Sequence, residues 1–190
     1  MTEDEVGALT AAWRARWGGR PIAHELRGRH ADRWVRFHSL PGSKRYAETE
    51  EEYGVVLGRH RSLLAELGAD EGLYLIAGYF AGARVGAAPD PRTHPGAVPW
   101  LTIEPDERSV FETPLTLCVS MASLERTALD PLLRSVADDE LGHVIIGPPD
   151  LRWLYHPYDG GGDVIAPTVH DRDVLKSRHA GWLSAHPAGL

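Results

Sequence analysis

Three short segments rich in apolar residues, 143–146, 152–158 and 163–166, follow one another with only turn sequences between them, and this spacing restricts the fold more than any other feature. The joints are Gly147-Pro148-Pro149-Asp150 and Asp159-Gly160-Gly161-Gly162, built from residues that pre-set or tolerate turn dihedrals. Residues 72–80 read as a central strand, and 100–103 and 115–124 as a further consecutive pair. Residues 34–40 alternate apolar with polar, apart from the adjacent Trp34 and Val35, and form the first expected strand, which Pro41-Gly42 turns. Strands that arrive in groups, instead of alternating strictly with helices, predict an α+β domain. We therefore expect a mostly antiparallel sheet of about six or seven strands with about four helices packed on it.

The helices have their own signals. Tyr53, Val56, Leu57, His60, Leu63, Leu64 and Leu67 recur at the spacing of one buried helical face. Thr49 with Glu52 fits a capping box, and three glutamates suit the positive end of the helix dipole. Gly68 supplies the stop. Gly54 and Gly58 lie inside this segment at a cost of about 1 kcal/mol each relative to alanine, which suggests close approach of a neighbouring element. His60 falls on the apolar face and reads as a core histidine. Further helices are expected over 4–17, from Asp130 (Asp as N-cap, Pro131 next) and over 171–182. Residues 81–114 should include a long proline-rich surface loop. No repeat or linker divides the 190 residues, so we expect one domain over 1–190.

Composition is ordinary for a globular protein, with 43% hydrophobic and 25% charged residues. No apolar run approaches the length of a membrane span, and the acidic start Thr2-Glu3-Asp4-Glu5 is unlike a secretory signal. The expected location is the cytoplasm, with no membrane association. Cys118 is the one cysteine, in an apolar run, and reads as an inert core thiol. The net charge of −7 is unevenly spread: residues 11–46 hold nine basic side chains against Glu25 and Asp32, which leaves that segment at +7 and the remainder at −14. Trp13, Trp17, Trp34, Phe37 and Tyr46 interleave with those bases, a pattern that can serve base stacking. The acidic whole and the missing recognition motif argue against nucleic-acid binding.

No nucleophile elbow, Walker loop, dinucleotide fingerprint or zinc helix is present; His24-Glu25-Leu26-Arg27-Gly28 starts like the last and fails at its fifth position. No metal and no cofactor is expected. Three clusters carry polar chemistry. Arg36, His38, Lys44, Arg45 and Tyr46 place an imidazole beside cationic donors, suited to a carboxylate or phosphate, or else to the outward face of a half-buried strand. His156, Tyr158, Asp159 and Asp163 surround the glycine run and could supply a general-base pair, or simply flank a hairpin turn. Asp138, Asp139 and Glu140 stand where a helix ends, suited to a cation or a basic partner unless the helix stops at Ala137.

Two stretches carry a likeness. Arg36-Phe37-His38-Ser39-Leu40-Pro41-Gly42-Ser43-Lys44-Arg45-Tyr46, running into Thr49-Glu50-Glu51-Glu52-Tyr53, resembles one signature of an uncharacterised bacterial domain-of-unknown-function family. Trp153-Leu154-Tyr155-His156-Pro157-Tyr158-Asp159-Gly160-Gly161 with Asp163-Val164-Ile165 resembles its second, and Trp182-Leu183 also fits. The likeness spans roughly residues 33–185, leaves 81–114 unmatched, and implies no activity. It ranks the first two clusters above the third.

Two functional readings stand. One is a protein-binding module, immunity- or antitoxin-like or regulatory, whose acidic surface meets a basic partner. The other is a small-molecule enzyme or ligand-binding protein whose pocket joins the first two clusters, which requires the segments at His38 and His156 to lie side by side.

Overall fold

The computed structural model describes residues 1–69, 72–83, 86–107, 109–122 and 127–184. Seven strands form one sheet: β1 (Trp34–His38), β2 (Leu73–Phe80), β3 (Val98–Ile103), β4 (Leu115–Ala122), β5 (Gly142–Gly147), β6 (Leu154–Tyr158) and β7 (Gly161–Ile165). Their order is β1-β7-β6-β5-β2-β4-β3, and every pairing is antiparallel. The α+β expectation holds. Of the strand expected over 115–124, residues 123 and 124 lie outside the described residues.

Alternation along the strands sends side chains to two cores. Val35, Phe37, Leu73, Leu75, Val144, Ile146, Tyr155 and Val164 meet α3 (Glu50–Glu66), α4 (Asp130–Ala137) and α5 (Val169–Arg178) on one face. Tyr74, Ile76, Leu117, Val119, Ile145, Leu154 and Ile165 meet α1 (Glu3–Arg16) and α2 (Ala23–Arg29) on the other. α1 is closed at its start by a Thr2–Glu5 capping box and inserts Leu9 and Trp13; Trp17, its C-cap, is buried beside them. The tryptophans of the basic segment are thus largely structural, and its arginines are mostly spent locally. Arg20 pairs with Glu25, Arg29 bonds the Gly18 and Arg20 carbonyls, and Arg33 bonds those of Ala166 and Pro167.

Several details differ from the sequence reading. α2 was not signalled, because seven residues hold only Ala23 and Leu26 as buried contacts. α4 is N-capped by Leu129 without a side-chain bond; Asp130 is its first residue and pairs with Arg61 instead. The last helix stops at Arg178, after which His179 bonds Glu66 at 2.7 Å and stacks on Trp182 in a separate 3-10 turn. β3 lies where a strand over 100–103 is expected but begins earlier, at Val98, and in the proline-rich loop before it His94 is buried, bonded to the Tyr79 hydroxyl at 2.8 Å and the Leu75 carbonyl at 3.0 Å. Nothing approaches Gly54 or Gly58: a methyl group at either would meet no atom within 4 Å. His60 is a core residue as expected, hydrogen-bonded through Nδ1 to the Tyr155 hydroxyl.

Candidate functional site

The site grows out of strand register. In β1, Arg36 lies opposite Asp163 of β7, and Asp163 lies opposite His156 of β6. Two residues further along, His38 lies opposite Gly161, and Gly161 opposite Tyr158. Since residues two apart share a face, these two rows stand on the α1–α2 side, beyond the apolar row Trp34, Ile165 and Leu154. α2 covers the apolar row, and the polar rows form the floor of an open cleft of about 420 Å³. His24, on α2, overlooks it.

Glycine sets the floor. A side chain at Gly161 would collide with the Phe37 carbonyl, and one at Gly162 with the Tyr155 hydroxyl on the opposite face. These glycines are strand residues serving close approach; Asp159 and Gly160 alone make the turn of the β6–β7 hairpin. The second wall is the loop after β1. There Gly42 (φ 65°) and Ser43 (φ 57°) both adopt the left-handed region, which costs a serine roughly 1–3 kcal/mol. The turn brings Arg45 back onto Asp159, Nε to Oδ2 at 2.6 Å.

Arg36 gives Nε and Nη2 to the two oxygens of Asp163 at 2.7 and 2.8 Å, a bidentate pair with little solvent on either partner. Burial works against the Arg36 charge, but the Asp163 carboxylate outweighs it and holds the guanidinium pKa above its usual value. The Arg36 guanidinium also lies over the Tyr158 ring, 4.7 Å from its centre. His156 donates Nδ1–H to the Val144 carbonyl at 2.7 Å. That bond fixes the tautomer and leaves Nε2 as a bare lone pair on a ring that lines the cleft. Burial lowers the His156 pKa, with Asp163 opposing, so the imidazole is neutral near pH 7. His24 and His38 are lowered chiefly by burial as well, His38 additionally by Arg36 and Arg59. Tyr158 is raised by burial and stays a phenol.

Of the nine residues singled out in sequence, seven line this cleft: Arg36, His38, Arg45, His156, Tyr158, Asp159 and Asp163. Two do not. Lys44 turns to Glu48 and Glu52, tying the loop to the first turn of α3. Tyr46 lies beside Arg45, whose guanidinium stands over its ring at 5.3 Å from the centre. Sequence reasoning missed His24 and Ser43, whose only signals were a broken zinc motif and a serine after Pro-Gly. It also missed His143, at φ 53° and 5.8 Å from the His24 ring. Among the described residues no group of three or more His, Cys, Asp or Glu is placed to hold a metal ion.

The third cluster is elsewhere. α4 ends at Ala137; Asp138 accepts from the Tyr53 hydroxyl and Glu140 from Ser135 Oγ at 3.2 Å. Both line a second cavity of about 450 Å³ beside Tyr79 and Arg92, where Arg92 pairs with Asp90 and Arg134 with Glu50. Its two arginines are thus taken up by Asp90 and Glu50, and Asp138 and Glu140 meet hydroxyl groups.

The model of a family described as a domain of unknown function (DUF3885) matches residues 22–187. No curated protein and no solved structure matches. Among the described residues, no helix is long and apolar enough to cross a membrane.

Proposed function

The chain belongs to the DUF3885 family, whose description assigns no activity, and from the chemistry of its own cleft we propose that it binds a small polar molecule there, in the cytoplasm, with His156 Nε2 as the hydrogen-bond acceptor or general base. The observation that carries this reading is the convergence of His38 and His156, 118 positions apart in the chain, on one cleft with two arginines and a phenol. Neutral imidazole, preset tautomer and an adjacent guanidinium are what base catalysis or directed binding requires. The floor and the loop wall are each pinned by an ion pair, so the groups are held in place before any ligand arrives. The competing proposal, a module whose acidic surface docks a basic protein, would rest on Asp138, Asp139 and Glu140. Two of those three already have partners within the chain.

The test is a ligand-observed NMR screen of polar metabolites against the wild type, His156→Gln and Tyr158→Phe. Compounds bound by the wild type and lost in both variants are expected. Binding that ignores both substitutions, or a screen without a binder alongside a stoichiometric protein partner lost on reversing Asp138, Asp139 and Glu140 to lysine, would replace this reading with the docking one.

A further inference from the structure

The hydrogen-bonding capacity left over in the cleft says what kind of molecule it takes. Its carboxylates are already paired: both oxygens of Asp163 accept from Arg36, and Asp159 accepts from Arg45. Its donors are only partly so. Arg36 keeps Nη1 and Arg45 keeps both Nη groups, with no protein partner for them among the described residues. The hydroxyls of Ser43 and Tyr158 are in the same condition.

Charge points the same way. The two Arg–Asp pairs cancel. Arg59 stands behind His38, its Nη1 on the His38 carbonyl at 2.7 Å. Arg27 borders the adjoining recess with Trp34, His156 and Asp163, and forms no ion pair among the described residues. Asp139 lies within electrostatic reach of Arg45, and the two further arginines outnumber it. Unspent donors under a positive potential select for acceptor oxygens that carry negative charge.

We infer that the ligand of this cleft presents an oxyanion, a phosphate or a carboxylate, to Arg45 and Arg36 Nη1, with a hydroxyl or N–H beside it for His156 Nε2. The inference rests on the cleft being a ligand site and adds the chemical class. Arginine forks suit either planar carboxylate or tetrahedral phosphate, so the probe must separate the two.

The test follows the histidine ring signals of the full chain by NMR at constant chloride ionic strength, with His38→Gln and His156→Gln used for assignment. Inorganic phosphate and acetate are the two probes. A saturable shift of the His38 and His156 signals is expected, weakened roughly tenfold by Arg45→Met, the usual scale for one charged hydrogen bond, and by a smaller factor by Arg27→Met, which removes only a nearby charge. Both substitutions are at exposed side chains, and an unchanged near-ultraviolet circular dichroism spectrum checks the fold. Tighter phosphate assigns a phosphorylated ligand, and tighter acetate a carboxylate. No saturable shift with either probe, or shifts indifferent to both arginine substitutions, overturns the inference. Neutral compounds from the metabolite screen that still require His156 would in that case leave the cleft reading intact.

Discussion

Folding removes the His60 imidazole from water and half-buries that of His143. Burial drives both pKa values down from 6.5 to about 4, with His24 and His156 adding to the effect at His143. The unfolded chain takes up protons at these positions as pH falls below about 6.5, and the native protein does so only near 4. Their contribution to stability is complete above the unfolded value and is lost through that window. Urea midpoints should therefore decline steadily from pH 6.5 toward 4; a midpoint that is flat or rising there contradicts the assignment. Asp163 makes a second case. Asp163→Ala leaves Arg36 charged and unpaired where little solvent reaches it, which should cost about 3 kcal/mol in urea denaturation. Replacing both with apolar residues should recover part of that loss. A single variant as stable as the wild type would show that solvent already screens the pair.

At the scale of elements, glycine has opposite meanings in two places. Gly161→Ala must part β7 from β1, because the new methyl group meets the Phe37 carbonyl, and a loss of about 1–3 kcal/mol is expected. Gly58→Ala in α3 meets nothing and should stabilise the protein by up to about 1 kcal/mol. Thermal unfolding of the two variants tests both signs. Sequence alone misread this contrast: it placed the close approach in the helix and treated the strand glycines as part of a turn. Periodicity made α3 legible because a helical face is written in local spacing. The β5–β6–β7 group was legible because its turns are local too. The cleft was legible only as two separate clusters. Which residue of β1 faces which residue of β7 is decided by tertiary register, and no local pattern encodes it. α2 escaped for the opposite reason: it is too short to show a period at all.

For the molecule as a whole, the family match begins at residue 22, but the core begins earlier. Leu9, Trp13 and Trp17 from α1 and its C-cap are buried against the sheet face that also carries Ile76, Leu117 and Ile145. Trp17 further donates Nε1–H to the Leu151 carbonyl at 3.0 Å. A chain starting at residue 22 should therefore lose cooperative unfolding and expose this face to a hydrophobic dye. Retention of a sharp thermal transition by the shortened chain would show that α1 is an accessory. The pairing of Arg36 with Asp163 has a further consequence. It joins positions 127 apart, so the cleft cannot exist until most of the chain is already organised between them. No fragment or half-folded intermediate would recognise the ligand. Occupancy then becomes a gauge of global folding: at a hundred times its Kd a ligand should add about 2.7 kcal/mol to the stability of the entire domain. That gain should appear as slower amide exchange throughout the sheet, including in β3 at the edge farthest from the cleft.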